Sequence, residues 1–181
     1  PPAPAAPIVR SDPADGGLEA PAAGTIHMIA VTPDGGAALT ADERHGVRLW
    51  PALDGSEEPR IVELPEAHAL ALGRRGDGFT AAVLDAAGGL YIATLDAQGR
   101  IHSHVSLASD PTWVGIAFAA RGLVGWRADQ TLVLLDGDGA SLARLPTEAG
   151  ERIVGVAVAG ERAAVLLDRA GKRGVRTVAL A

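Results

Sequence analysis

The repeat unit of this chain is clearest in residues 26–55, which read IHMIAVTPDGGAALTADERHGVRLWPALDG. They hold three short apolar runs separated by glycine, aspartate and proline, the pattern of strands joined by tight turns. The pattern recurs downstream. Equivalent alanines follow one another at spacings of 41, 46 and 40 residues, at Ala30, Ala71, Ala117 and Ala157. This period is typical of propellers with four-stranded blades, and small residues there suit a crowded central axis.

The recurrence predicts an all-β fold, a β-propeller or a segment of one, with about four blades of four antiparallel strands. Glycine and aspartate between the runs supply the positive φ and side-chain bonds that tight hairpins need. The last blade has predicted strands near 153–158, 162–167 and 174–180 only. It therefore lacks a fourth strand unless the N-terminal segment or another chain supplies one. The predicted blades cover approximately residues 25–65, 66–108, 109–147 and 148–181.

Residues 1–24 contain six prolines among alanine, glycine and aspartate. Because proline fixes φ and removes a backbone donor, we predict an extended linker here. Within it, residues 8–10, Ile-Val-Arg, form a short island that could pair with a sheet edge as a closing strand. The chain opens with Pro1 rather than methionine, and we expect a processed chain or a fragment of a larger protein.

Composition argues against several classes of function. Apolar residues make up 48% of the 181 residues and aromatic ones only 3%, so the core must be aliphatic. A formal net charge of −6 disfavours nucleic acid as a partner. The sequence lacks cysteine, and no apolar run is long enough to span a membrane. Abundant alanine and a preference for arginine over lysine fit a GC-rich, bacterial genome. The compartment stays open, with the cytoplasm favoured over the periplasm for a soluble chain.

The first unit resembles a WD40 repeat. Residues 29–35, IAVTPDG, resemble the family's first strand and the turn that follows it. Residues 46–50, GVRLW, resemble its third strand with the signature tryptophan. Pro51 stands where the family has aspartate, and the family's turn aspartate is matched loosely by Asp42 or Glu43. The other units keep the strand rhythm without the tryptophan, so the chain is identified as a WD40-like propeller with degenerate, bacterial-type repeats.

The resemblance implies a closed ring of about seven blades, and four blades fall short of that number. Residues 8–10 could close the last blade, since the 13 residues from there to Gly24 span roughly 45 Å when extended. A second copy of the chain could give eight blades, or a different chain could supply the missing ones. An unclosed half-ring exposes strand edges and apolar faces. We therefore expect completion by another chain.

The sequence contains several motifs that could carry chemistry. His102 and His104 lie two apart on a predicted strand and could share a metal ion, but a third ligand is absent. Asp136 and Asp138 resemble the start of a calcium loop that lacks its later acidic ligands. The tripeptide at residues 75–77, Arg-Gly-Asp, and the basic run at 171–174 are both interpreted as turns. We find no nucleophile elbow and no paired carboxylates outside polar loops.

We therefore expect a non-enzymatic scaffold for protein–protein interaction, without cofactor or metal, that presents loops to a protein partner. Loops on a rigid scaffold are where binding residues concentrate. The alternatives are a sensory or regulatory domain of a larger bacterial protein, and a propeller enzyme or small-molecule binder that uses the central channel. The second of these is disfavoured by inner strands rich in alanine, valine and isoleucine. The candidate partner-binding residues, all in turns after second strands, are Glu43, Arg44, His45, Arg127, Asp129, Arg169, Lys172 and Arg173.

Overall fold

The computed structural model describes residues 25–44 and 46–180, and this part of the chain consists of strands and turns without a helix. The predicted linker at 1–24 and its closing strand at 8–10 lie outside the described residues. No helix in the described part could cross a membrane. The strands are β1 Ile26–Val31, β2 Ala38–Asp42, β3 Val47–Trp50, β4 Arg60–Val62, β5 Ala69–Arg75, β6 Gly78–Leu84, β7 Leu90–Leu95, β8 Ile101–Leu107, β9 Trp113–Ala119, β10 Gly122–Arg127, β11 Thr131–Leu135, β12 Ser141–Pro146, β13 Arg152–Ala159, β14 Arg162–Arg169 and β15 Lys172–Ala179.

The strands form four antiparallel sheets in which neighbours in sequence are neighbours in space. Blades 1, 2 and 3 contain β1–β4, β5–β8 and β9–β12, and blade 4 contains β13–β15. The predicted four-bladed, all-β propeller is confirmed, and so is the three-stranded last blade of the described chain. Hairpin connections with glycine at positive φ, such as Gly88 and Gly139, produce this meander.

The blades stack face to face in chain order, and each junction buries one apolar core. The first core joins blades 1 and 2, the second joins blades 2 and 3, and the third joins blades 3 and 4. Strand β6 shows how a central blade serves two of them. Phe79, Ala81 and Val83 face the first core, whereas Ala82 and Leu84 face the second. This alternation follows from the two-residue period of a strand with both faces covered.

Two of the repeating alanines occupy these junctions. Ala30 packs against the first core and Ala71 belongs to the second. In register, Ala71 lies opposite Ala82, and Ala157 lies opposite Ala164. Ala30, Ala71 and Ala157 lie on the same side of their blades, the side that in blades 1 and 2 meets the following blade. We call this the front face of a blade, and the opposite side its back face.

An aspartate turn recurs at the hairpin tips. In each case the aspartate carboxylate accepts backbone N–H groups two and four residues later, and its own N–H donates to the carbonyl of the fourth residue. These bonds satisfy the turn's backbone donors, and they explain why aspartate punctuates the strands. In the described part of the chain, four aspartates make this turn: Asp42, Asp85, Asp96 and Asp136.

The described blades form an arc with two uncovered ends. Four blades share three cores, and none of these cores joins blade 4 to blade 1. On the back face of blade 1, Ile29 is 65% and Ile61 is 73% exposed. On the front face of blade 4, Val175 is 69% exposed. Both ends of the arc thus expose apolar side chains, at the outer strands β1 and β4 of blade 1 and on β15 of blade 4, whereas the second strand of blade 1 is buried throughout.

Candidate functional site

The candidate partner-binding residues lie in the turns between second and third strands, which open on one face of a propeller. We call this the turn face. In blade 1, Glu43 and Arg44 are exposed, and the Arg44 N–H donates to Asp42 at 2.9 Å. Arg48 donates to the other carboxylate oxygen of Asp42 at 2.7 Å. The pKa of Asp42 is lowered, chiefly by the Gly46 N–H and further by Arg48. His45 lies outside the described residues.

In blade 3, the candidate Arg127 is engaged within the protein. Its Nη2 lies 2.8 Å from an Asp110 carboxylate oxygen, and its guanidinium lies 4.5 Å from the centre of the Trp113 ring. Its Nε is buried and has no hydrogen-bond partner among the described residues. Hydrogen bonds from Thr112 lower the pKa of Asp110, and the positive charge of Arg127 adds to this. Asp129 is exposed and accepts the Thr131 N–H at 3.1 Å.

In blade 4, the structure brings three candidates together around a recess of about 290 Å³ at the β14–β15 hairpin. Arg169 lies 3.7 Å from Glu148 across exposed surface. Lys172 and Arg173 are exposed and have no ion pair among the described residues. This hairpin therefore presents a basic edge, separate from the turns of blades 1 and 3.

The other motifs lie in ordinary structural positions. His102 and His104 are both on β8, and His104 stacks on Tyr91 with 4.9 Å between ring centres. The described residues hold no group of three or more histidine, aspartate or glutamate side chains placed to bind a metal. Asp136 makes the recurrent aspartate turn. The 75–77 tripeptide is the β5–β6 turn, with Gly76 at φ 62°.

Sequence reasoning missed the contacts between blades on the opposite side, at the turns after first strands. Arg74 Nε donates to Asp34 at 2.6 Å and ties blade 2 to blade 1. The adjacent arginines Arg74 and Arg75 at the end of a strand could have indicated this contact. Alternate residues of a strand point to opposite faces, so one of two adjacent arginines faces the preceding blade. It also missed the hydrogen bond from Trp50 Nε1 to the Thr40 hydroxyl, 2.9 Å long and buried.

Comparison with solved structures supports the fold. The chain is 13% identical to U3-55K, covering 90% of this chain and 54% of that one with a TM-score of 0.54. For the RRP9 WD40 repeats the identity is 14%, the coverage 87% and 52%, and the TM-score 0.54. For BBS1N in complex with ARL6DN the values are 14%, 82% and 49%, and 0.58. No protein-family model matches the chain, and no curated protein matches its sequence.

The chain therefore has the fold of WD40 propellers. It spans about half the length of the solved propellers that it resembles. At these identities the likeness concerns architecture alone. Its partners have to be argued from the chain's own surfaces.

Proposed function

We propose that this protein is a non-enzymatic propeller scaffold for protein–protein interaction, and that blades from another chain complete its ring. The observation that carries the proposal is the pair of uncovered end faces. Apolar residues that are buried at the interior junctions have exposed counterparts on the front face of blade 4 and on the outer strands of the back face of blade 1. A propeller face of this kind is covered when another blade lies against it.

The front face of blade 4 matches the front face of blade 2. The tetrapeptide Ala-Ala-Val-Leu occurs at residues 81–84 and again at 163–166, in the second strand of each blade. In blade 2, Ala82 and Leu84 are fully buried against blade 3. In blade 4 the equivalent Ala164 is exposed and Leu166 is half-buried. The same apolar pattern without a neighbour indicates a missing blade.

The back face of blade 1 gives the same argument from the other end. Leu70 and Leu72 on β5 pack against blade 1 in the first core. The equivalent residues of β1 are Ile29 and Val31, and both are exposed. Burying each of them would contribute roughly 1.5–3 kcal/mol, so the two end faces together form a strong association surface.

A second copy of the chain is the simplest source of the missing blades. Blade 4 of one copy would lie against blade 1 of the other, and the reverse contact would close a ring of eight blades. Strand β15 is the outermost described strand of blade 4, and a fourth strand could bond the backbone groups along its outer edge. In this arrangement both end faces become junctions of the interior type.

The turn face would then be a rigid platform for a protein partner. Its exposed charges, Glu43 and Arg44 in blade 1 and Lys172 and Arg173 in blade 4, lie on turns held by backbone and aspartate bonds. Loops fixed in this way lose little entropy on binding. BBS1N, which has a similar fold, was crystallised in complex with ARL6DN, so a propeller of this kind can bind another protein.

Light scattering on the purified chain tests the completion of the ring. We expect twice the single-chain mass of 18.4 kDa, or a complex with a co-purifying protein. Ala164→Arg places a charge on the front face of blade 4 and should give a folded single chain. Ala86→Arg, in an exposed turn away from both ends, is the matched control and should leave the assembly intact. A wild-type chain that stays single at every concentration and retains no partner would contradict the proposal.

A further inference from the structure

A cleft of about 400 Å³ opens beside the turns after first strands, on the side of the propeller opposite the turn face. Residues of blades 1, 2 and 3 line it. Three arginines contribute to its wall, Arg74, Arg75 and Arg121, against a single acidic residue, Asp34. Because the whole chain carries a net charge of −6, this local excess of positive charge departs from the overall balance.

The adjacent arginines Arg74 and Arg75 differ in how they are held. Arg74 is paired with Asp34 at 2.6 Å and lies over the Phe79 ring at 5.2 Å, so its charge is compensated within the protein. Arg75 has no carboxylate partner among the described residues. Its contact there is a 3.5 Å hydrogen bond to the Thr94 hydroxyl, at the outer limit for such a bond. Arg75 therefore offers a free guanidinium at the cleft.

Two further polar side chains line the same cleft and can form additional hydrogen bonds with a ligand. Arg121 lies 3.5 Å from Glu161, and both side chains are exposed, so solvent screens this pair and it holds Arg121 weakly. Thr80 lines the cleft, and its hydroxyl makes no hydrogen bond to another described residue, so it can bond a ligand there.

The floor of the cleft is apolar. Phe118 is half-buried there, and a Cβ at Gly73 would lie only 3.1 Å from its ring, so glycine lets the backbone lie flat against the phenylalanine. An open, apolar floor with a free guanidinium at its rim suits an extended peptide that carries a carboxylate beside an apolar side chain. Arginine binds carboxylates through two parallel hydrogen bonds, which gives such a contact both strength and direction.

We propose that this cleft binds an acidic peptide segment of a partner protein, with Arg75 and Arg121 receiving its carboxylates and Phe118 its apolar side chain. The site deepens the proposed interaction function and rests on it. It does not depend on how the ring is completed. It assigns a second binding surface on the side of the propeller away from the turn face.

Fluorescence anisotropy with a labelled Gly-Glu-Phe-Glu-Gly peptide tests the site, with the Gln-for-Glu peptide as the control ligand. We expect the acidic peptide to bind and the neutral one to bind at least tenfold more weakly. Arg75→Ala should weaken binding of the acidic peptide about tenfold, the usual effect of losing a charged hydrogen bond. The affinity of Arg75→Lys for the acidic peptide should lie between those of wild type and Arg75→Ala. Arg152→Ala, which removes an exposed arginine on β13 that does not line the cleft, should leave binding unchanged.

Three results would contradict the proposal that the cleft binds an acidic peptide. The first is equal affinity of wild type and Arg75→Ala at unchanged thermal stability. The second is loss of binding in Arg44→Ala instead, which would move the peptide to the turn face and leave the scaffold function standing. The third is displacement of the peptide by inorganic phosphate together with Arg75-dependent phosphate binding, which would make the cleft a small-anion site. Light scattering on the same samples reports ring completion separately.

Discussion

Strands β6 and β14, the second strands of blades 2 and 4, contain the same tetrapeptide, Ala-Ala-Val-Leu, which begins at the fourth residue of β6 and the second residue of β14. Every residue of β6 is buried, because blades 1 and 3 cover its two faces. In β14 burial alternates, since blade 3 covers one face and the other is open. Identical residues thus have different environments, because a following blade covers the front face of blade 2 and the described chain places none on the front face of blade 4.

The comparison shows that a blade can have apolar residues on both faces even when the chain supplies a neighbouring blade for only one of them. Propellers resemble other repeat proteins in this respect, because each unit is stabilised mainly by its neighbours. The end blades should therefore be the least stable part of the isolated chain. They should gain the most when further blades cover them.

The largest expected effect comes from truncating the same leucine in the two strands. Leu84→Ala removes a fully buried side chain from the second core and should cost about 2–5 kcal/mol of unfolding free energy. Leu166→Ala, the matched change in blade 4, should cost under about 1 kcal/mol in the single chain, because its side chain is half-buried. Urea denaturation measures both. Equal costs in a single chain would show that the two junction faces are not as different as their burial indicates.

The same two leucine substitutions also test whether another chain completes the ring. If another chain covers blade 4, Leu166→Ala should become more costly in the assembly than in the single chain, whereas Leu84→Ala should cost the same in both. Ala164→Arg provides the single-chain background for this measurement. A Leu166→Ala cost that does not change with assembly would place the association surface elsewhere.

Glycine substitutions give the next largest contrast. Gly115 lies under Trp126, and a Cβ there would come 2.1 Å from the indole ring, so Gly115→Ala should destabilise by about 1–3 kcal/mol. Gly155 is on β13 at the open end, where a Cβ would meet nothing within 4 Å. Gly155→Ala should be neutral or stabilise by about 0.4–1 kcal/mol, since it restricts the unfolded chain. Thermal unfolding of both variants checks the order, and a stabilised Gly115→Ala would refute the close packing of blade 3.

Much of the fold was predictable because short apolar runs and the glycine and aspartate turns between them mark each strand locally in the sequence. The three strands of the last blade were predicted near 153–158, 162–167 and 174–180 by counting apolar runs, and they are observed at 152–159, 162–169 and 172–179. Burial was harder to predict. Ala82 and Ala164 have the same local sequence, and only the stacking order of blades decides that one is covered.

The candidate site was less predictable for a related reason. Turn positions such as Glu43 and Arg44 could be located from the strand rhythm, but Arg127 could not be recognised as engaged. Its partners, Asp110 and Trp113, come from an earlier turn and strand that the fold brings beside it. Likewise, the sequence does not show which of the two adjacent arginines is paired. In the structure Arg74 forms the ion pair with Asp34, and Arg75 has no carboxylate partner among the described residues.

The smallest expected effect concerns the ion pairs that join neighbouring blades at the turns after first strands. Hydrogen bonds from the Thr32 hydroxyl and the Gly36 N–H, with the Arg74 guanidinium beside them, lower the pKa of Asp34 from 3.8 to about 2. The folded pKa lies below the unfolded one, so this carboxylate stabilises the fold above about pH 4 and loses its contribution as the pH falls to about 2.

Asp34→Asn tests this contribution, and the pair at the other end of the arc is its control. The unfolding free energy of wild type should exceed that of Asp34→Asn near pH 6, and the gap should narrow steadily between pH 4 and pH 2. Glu161→Gln breaks the longer, exposed pair with Arg121 and should have a smaller effect at every pH, because solvent screens it. Urea titrations across this range measure both variants. A gap for Asp34→Asn that stays constant with pH would mean that its carboxylate does not tie blade 1 to blade 2 through charge.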